Sequence, residues 1–173
     1  MNQKHIITGA PGTGKTSLIN ELLKRGISCS REISREIIAE QLANKGDILP
    51  WKNLNQFSER VASDRKEQYN NAPNNKLHFF DRSVIDVIAY MKIANLDYSS
   101  ISKDIDYNKI VFYTPVWKEI YIQDNERKET FEQAIEIENS LLNTYKELGY
   151  SLIKIPKLTI KERVSFILSK IEG

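Results

Sequence analysis

The sequence has little cysteine, almost no excess charge of either sign and no long apolar run. Among its 173 residues there is a single cysteine, Cys29, so no disulfide can form within them. Such cysteine usage is typical of proteins in a reducing compartment. Because Cys29 lies in an alternation of apolar and polar residues, we expect it to be a small core residue.

The charges nearly cancel, with 25 basic and 23 acidic residues and a net charge of +2. This balance provides no general attraction to nucleic acid or to an anionic membrane, so we expect neither partner. No run approaches the roughly 20 apolar residues of a membrane span, and the apolar stretch near the start is too short for a signal peptide. We therefore expect a cytoplasmic protein. The length suits a single domain over 1–173, while the oligomeric state stays open.

Short apolar segments alternate with amphipathic segments along the chain. Strands are predicted at 4–8, 27–31, 77–81, 109–113 and 151–155. Helices are predicted at 15–25, 53–70, 84–95, 131–148 and 159–171, and one more from about 32 to Gly46 with Ile33, Ile37, Ile38 and Leu42 as its apolar face. The alternation predicts an α/β fold in which a parallel sheet lies between two helical layers. In such sheets, ligands bind beyond the carboxyl ends of the strands.

A glycine-rich segment, Gly9–Thr16, follows the first strand and opens the first helix. Its pattern, G-x-x-x-x-G-K-T, is that of a phosphate-binding loop, in which glycines let backbone amides turn toward phosphates. We expect Lys15 to reach the β- and γ-phosphates of a nucleoside triphosphate, and the Thr16 hydroxyl to ligate Mg²⁺. A chance glycine turn is the alternative, but the flanking strand and amphipathic helix favour the functional reading. The predicted phosphate-binding residues are Gly9, Ala10, Pro11, Gly12, Thr13, Gly14, Lys15, Thr16 and Ser17.

Asp81 and Arg82 follow the third predicted strand. A carboxylate at this position of a phosphate-loop protein contacts Mg²⁺ or handles the proton of the phosphoryl acceptor. We therefore predict Asp81 as a metal ligand and catalytic residue; a helix N-cap is the alternative. Arg82 is a candidate for binding the acceptor, with a surface ion pair as the alternative.

Glu32 follows the second predicted strand, and Arg35 lies one helical turn later. We predict that Glu32 faces the acceptor side of the cleft, where it binds hydroxyl groups or accepts a proton, and that Arg35 helps to bind the acceptor. An acidic residue at a helix N-terminus is the alternative for Glu32, because the helix dipole favours it there.

The segment 116–130 is rich in charge and weak in periodicity, so we read it as exposed and mobile. Within it Arg127 is predicted to reach the transferred phosphoryl group and offset the charge that develops in the transition state. Lys118 and Lys128 are weaker candidates for the same role, and a solvated charged loop is the alternative for all three.

Aromatic and histidine residues give weaker signals. Trp51 and Phe57 could stack on an acceptor ring, but aromatic residues at such spacing more often belong to the core. His5 and His78 lie on strands that we expect to be buried, so a structural role is favoured for both.

Taken together, these motifs resemble the kinase-like AAA domain family that includes the ribosylnicotinamide kinase domain of bacterial NAD-salvage regulators. More distantly, the chain is similar to deoxynucleoside and thymidylate kinases. The resemblance lies in Gly9–Thr16 and in the segments 32–35, 80–83, 145–150 and 159–163, which together span most of the chain.

The resemblance implies a phosphate-loop kinase fold with five parallel strands in the order 2-3-1-4-5. It also implies a lid over about 116–130 and a helical insertion on the acceptor side over about 47–70. ATP would be the phosphoryl donor, and a small acceptor would bind near Glu32, Arg35 and Arg82.

Three functions remain open from the sequence. The first is an ATP- and Mg²⁺-dependent kinase for a nucleoside, riboside or similar hydroxyl-bearing metabolite. The second is an NTPase or nucleotide-switched regulator of a partner protein, and the third is a nucleotide-binding module without catalysis. A guanine-reading Asn-Lys-x-Asp element is not present at 75–78, where the aspartate is replaced by His78. No base-reading motif separates ATP from GTP.

Overall fold

The computed structural model describes residues 2–120 and 129–172. In this part of the chain the strands are β1 (Lys4–Thr8), β2 (Ser28–Ser30), β3 (His78–Asp81), β4 (Ile110–Tyr113) and β5 (Ser151–Lys154). The α-helices are α1 (Lys15–Lys24), α2 (Ser34–Ala43), α3 (Leu54–Asn71), α4 (Val84–Ile93), α5 (Phe131–Glu147) and α6 (Ile160–Glu172). A 3₁₀ turn, Lys118–Ile120, lies between β4 and α5.

The five strands form one parallel sheet in the order β2-β3-β1-β4-β5, which confirms the predicted order. The central strand β1 lies in register with β3, where Ile7 is opposite Asp81, and with β4, where Thr8 is opposite Tyr113. The segment after β1 therefore leaves the middle of the sheet between the ends of its two neighbours. This is the edge at which ligands bind in open parallel sheets.

Helices cover both faces of the sheet because successive strand residues point to opposite sides. On one face, Ile7, Phe79 and Phe112 pack with apolar residues of α1 and α6. On the other face, Ile6, Phe80 and Val111 pack with residues of α3, α4 and α5. The observed architecture is the predicted α/β fold with three layers.

Two details of the prediction are wrong, one in helix α2 and one in the edge strand β2. Leu42 was expected on the apolar face of the following helix but is 57% exposed, whereas Ile37 is buried. Cys29 is only partly buried rather than a core residue. Cys29 lies on the edge strand β2, which has a neighbouring strand on one side only, so there is less structure to cover it.

Helix α4 is the most deeply buried helix next to the site, with seven of its ten residues buried. It starts with a capping box in which Ser83 and Asp86 satisfy each other's backbone amides. Even so, within residues 2–120 and 129–172 no helix is both long and apolar enough to cross a membrane.

Candidate active site

The segment between β1 and α1 has the backbone of an anion-binding loop. Gly9, Gly12 and Gly14 all have positive φ angles, of 144°, 77° and 87°, which glycine adopts at little cost. At Gly9 a side chain is also excluded by space, because a Cβ there would lie 2.2 Å from Thr114 Oγ1. The loop therefore needs glycine for both conformation and close approach to β4.

Lys15, the first residue of α1, is buried inside this loop. Its Nζ donates to the Ala10 carbonyl at 2.7 Å and lies 3.4 Å from Thr13 Oγ1. Burial and, to a lesser extent, the charge of Arg82 lower the pKa of Lys15 to about 7, although Asp81 and Glu32 oppose the shift. The ammonium group is thus held in the loop by neutral partners.

Side chains around the loop fix its shape. Thr13 Oγ1 donates to the Ala10 carbonyl at 2.8 Å and lies 2.5 Å from Thr114 Oγ1, which in turn donates to the Thr8 carbonyl at 3.2 Å. Thr16 and Ser17, which follow in the first turn of α1, are exposed. Their hydroxyls can reach a ligand, and the N-terminus of α1 adds positive potential.

Asp81 is the last residue of β3 and is buried. Its Oδ1 has no hydrogen-bond partner, and burial raises the pKa of its carboxyl. The helix-cap alternative is wrong, because Ser83 caps α4 by accepting from the Ile85 amide. A buried carboxylate oxygen without a partner needs another explanation, and a bound cation is one.

Glu32 follows β2 and accepts several hydrogen bonds. Its Oε1 accepts from the Ile33 and Ser34 amides at 2.9 Å, so the alternative of an acidic residue at a helix start also describes it. Arg65 Nη2 lies 2.9 and 3.1 Å from the two carboxylate oxygens, and Arg82 Nε lies 2.7 Å from Oε2. Burial alone would raise the pKa of Glu32, but Arg65 and Arg82 hold it well below its usual range. The side chain of Glu32 is 20% exposed, so a ligand can still reach it.

Arg82 adopts an unusual backbone conformation, with φ of +73°. Such a conformation costs about 1 kcal/mol for a residue other than glycine and persists only where the surroundings hold it. The side chain is largely buried between Glu32 and Asp86, whose Oδ1 lies 3.7 Å from Nη1. The alternative of a surface ion pair is therefore wrong, because this pair is buried.

Asp86 connects these residues to the rest of the core. It is fully buried and accepts from Thr8 Oγ1 at 2.5 Å, from the Ser83 amide at 2.9 Å and from Tyr145 Oη at 2.5 Å. These contacts link the end of β1 to α4 and α5. The strand ends that carry the site are thus tied together by one buried carboxylate.

Arg65 was missed by the sequence interpretation. It lies in a charged run of α3 that reads as a solvated face, yet its side chain is buried and it also donates to the Ser83 carbonyl at 2.8 Å. The signal was the spacing of the buried residues Ser58, Val61 and Ala62, which places residue 65 on the same side of the helix. The predicted insertion therefore contributes a side chain to the site.

The remaining candidates are more dispersed. Arg35 and Lys118 are exposed. Trp51 is 58% exposed, and Phe57 packs against the core. His5 and His78 are buried, as expected. Arg127 and Lys128 lie outside the described residues, so their predicted roles stay predictions.

Comparison of structures gives kinases as neighbours. Deoxyadenosine kinase from M. mycoides with bound dATP matches with a TM-score of 0.67 and 20% identity, over 99% of this chain and 100% of that one. Thymidylate kinase from Candida albicans matches with a TM-score of 0.70 and 17% identity, over 99% and 91%. NadR protein in complex with NR matches with a TM-score of 0.72 and 19% identity, over 99% of this chain but 52% of that one. At these identities the likeness shows a shared fold.

Comparison of sequences adds the family. No curated protein matches the chain. The model of the AAA domain family matches residues 4–163, a span that runs from β1 and the phosphate loop to the first turn of α6. The chain therefore belongs to the AAA domain family.

Proposed function

We propose that the chain is an ATP- and Mg²⁺-dependent phosphotransferase that acts on a nucleoside, a riboside or a similar small molecule with a free hydroxyl. One observation carries the proposal. The Glu32 carboxylate lies at the same edge of the sheet as the loop that holds Lys15. Arg82 connects the two, because it contacts Glu32 and its charge lowers the pKa of Lys15. A donor site and an acceptor site would thus adjoin.

The donor residues fit magnesium ATP by their chemistry. Gly9–Ser17 would hold the phosphates, because its glycines allow backbone amides to turn toward an anion. The loop also holds a buried ammonium group that has no carboxylate partner among the described residues. Thr16 and Asp81 would hold the metal, since Mg²⁺ prefers oxygen ligands and takes few from the protein. The partnerless Oδ1 of Asp81 is consistent with this assignment. When bound, magnesium ATP supplies the phosphoryl group that is transferred.

On the acceptor side, Glu32 would orient the hydroxyl. Its low pKa keeps it ionised at neutral pH, so it is a strong hydrogen-bond acceptor but a weak base. Asp81 is the second carboxylate at this edge of the sheet, and it would take the hydroxyl proton where it is not itself bound to the metal. We keep Arg127 as the group that would offset charge on the transferred phosphoryl. We also retain the prediction of a cytoplasmic location.

The charges favour an acceptor without a phosphate. Arg65 and Arg82 are both paired with carboxylates, Glu32 and Asp86, whereas binding a phosphate monoester calls for cations that can turn toward it. Among the neighbours, deoxyadenosine kinase is named for a nucleoside and thymidylate kinase for a nucleotide. The pairing of Arg65 and Arg82 with carboxylates supports an acceptor of the first kind for this chain.

An acceptor panel tests the proposal. Purified protein is incubated with magnesium ATP and, separately, with nucleosides, ribosides and nucleoside monophosphates, and ADP and products are followed by chromatography and mass spectrometry. We expect ADP to form with a neutral acceptor, together with a product heavier by one phosphoryl group, and no reaction in EDTA. ADP release that is independent of every acceptor would indicate the NTPase, and binding without turnover the non-catalytic module. Phosphorylation of monophosphates alone would contradict the neutral acceptor.

A further inference from the structure

Arg163 lies directly behind the phosphate loop. It belongs to the first turn of α6, and its side chain is buried, with the residue 3% exposed. Its Nη2 donates to the Thr13 carbonyl at 3.2 Å. Its Nη1 lies so close to Gly14 that a Cβ added there would be 3.0 Å away. The guanidinium group therefore supports two consecutive residues of the loop from the outer side.

The charge of Arg163 is not neutralised by the described residues. Across 2–120 and 129–172 it forms no ion pair, and its Nε has no hydrogen-bond partner. Burial lowers its pKa. Removing a cation from water without a compensating anion is unfavourable. The acceptor-side arginines, Arg65 and Arg82, each have a carboxylate within 4 Å.

Trp117 covers the guanidinium group from another direction. The Cζ of Arg163 lies 5.9 Å from the centre of the Trp117 ring. This contact has the range of a cation–π interaction, which stabilises a cation only in part. Because Arg163 is buried, its charge interactions are stronger than they would be across water. The positive potential of Arg163 thus acts mainly through Thr13 and Gly14.

We propose that Arg163 is a positioning residue of the donor site, which holds Thr13 and Gly14 in place and adds a second positive charge, besides Lys15, for the triphosphate of the nucleotide. The proposal rests on the proposed function, because the anion that compensates Arg163 is the donor's phosphate chain. It accounts for a buried cation that would otherwise only destabilise the fold. It also gives Gly14 a reason beyond its φ angle, since a side chain there would displace Arg163.

Calorimetry of nucleotide binding tests this role. Four proteins are compared for their affinity for magnesium ATP and magnesium ADP: wild type, Arg163→Met, Arg163→Lys and Arg25→Met. Arg25 is the matched control, because it also joins α1 to α6, through Ser165 and the Lys161 carbonyl, but is exposed and paired with Glu21. We expect Arg163→Met to weaken ATP binding about tenfold and ADP binding less, Arg163→Lys to stay within about threefold, and Arg25→Met to match wild type.

Several results would overturn the proposal. One is an unchanged affinity for magnesium ATP in folded Arg163→Met. Another is an equal loss of affinity for ATP and ADP in Arg163→Met that Arg163→Lys does not restore, because a role in packing alone predicts that result. If Arg163→Met does not fold, the NMR signal of the Arg163 Nε–H group in the wild type provides the test, and its absence from the Arg163→Lys spectrum identifies it. We expect this signal to shift when magnesium ATP is added. No shift at saturation would reject the role. A wild type that does not bind magnesium ATP would instead contradict the proposed function itself.

Discussion

The two halves of the candidate site treat positive charge in opposite ways. On the donor side, Lys15 and Arg163 are buried and donate to backbone carbonyls, those of Ala10 and Thr13. On the acceptor side, Arg65 and Arg82 are buried against a carboxylate, Glu32. Neutral partners leave a cation able to attract an anion, whereas an ion pair is already compensated. This contrast supports the proposal that the donor half binds phosphate and the acceptor half binds hydroxyl groups.

The largest effect should come from the donor half. Replacing Lys15 by alanine removes the ammonium group inside the loop, and we expect phosphotransfer to fall by about 10³-fold, because charge stabilisation dominates such reactions. Initial rates of ADP formation with the acceptor identified by the panel measure this. Lys24→Ala, in the last turn of the same helix, should retain full activity. A Lys15→Ala enzyme within tenfold of wild type would remove the basis for the donor assignment.

The difference between the two halves also explains which parts of the site could be predicted from the sequence. The donor loop is nine consecutive residues with local rules for glycine, lysine and threonine, so Gly9–Ser17 was recognisable from spacing alone. The strand order and layers followed from alternation and from the family resemblance. In the acceptor half, Glu32, Arg65 and Arg82 come from three elements far apart in sequence. Arg65 reaches Glu32 only because α3 packs beside α4. No local sequence pattern predicts this packing.

The next effect concerns the acceptor half. Arg65→Gln leaves Glu32 with one arginine instead of two and should lower the free energy of unfolding by about 3 kcal/mol, since it breaks a buried ion pair from one side. Urea denaturation at neutral pH measures it. Arg60→Gln on the same helix is the matched control. Its ion pairs with Glu40 and Asp64 are more exposed, so a loss under about 0.5 kcal/mol is expected. Equal losses in the two variants would contradict the distinction between buried and exposed pairs.

Some features of the acceptor half had no sequence signal at all. Arg82 has a positive φ angle that its residue type does not suggest. Asp86 reads as one acidic residue in an apolar helix, yet it receives hydrogen bonds from Thr8 and Tyr145. Such networks depend on which strand ends meet, so they become visible only when the sheet is assembled.

A smaller, pH-dependent effect is expected where β2 joins β3. His78 is buried, and its ring nitrogens lie 2.8 Å from Ser28 Oγ and 2.9 Å from Ser30 Oγ. Burial, with the charge of Lys4, lowers the pKa of His78 to about 4 from its ordinary 6.5. Between pH 4 and pH 6.5, His78 is protonated in the unfolded chain but not in the folded chain. Its contribution to the free energy of unfolding is therefore fully present above pH 6.5 and decreases as the pH falls toward 4.

This shift predicts that wild type loses about 2 kcal/mol of unfolding free energy between pH 8 and pH 5. Urea denaturation at both pH values measures the loss. His78→Asn should abolish most of it, whereas His5→Asn, which changes the other histidine of the sequence, should leave the contribution of His78 in place. A slope that persists in His78→Asn would show that the acid-sensitive group is not at the contact between β2 and β3.

The smallest expected effect separates the two halves most directly. Glu32→Gln retains the shape of the side chain but removes the charge that would hold an acceptor hydroxyl, so we expect the acceptor KM to rise about tenfold, as for loss of a hydrogen bond to a charged group. The affinity for magnesium ATP, measured by calorimetry well below the unfolding temperature, should change less than about twofold, because Lys15 and the loop do not contact Glu32. Glu36→Gln is a suitable control, since it removes an exposed carboxylate from the first turn of α2. Equal losses of acceptor and ATP binding in Glu32→Gln would mean that the two halves form one electrostatic unit, and Glu32 could then not be assigned to the acceptor alone.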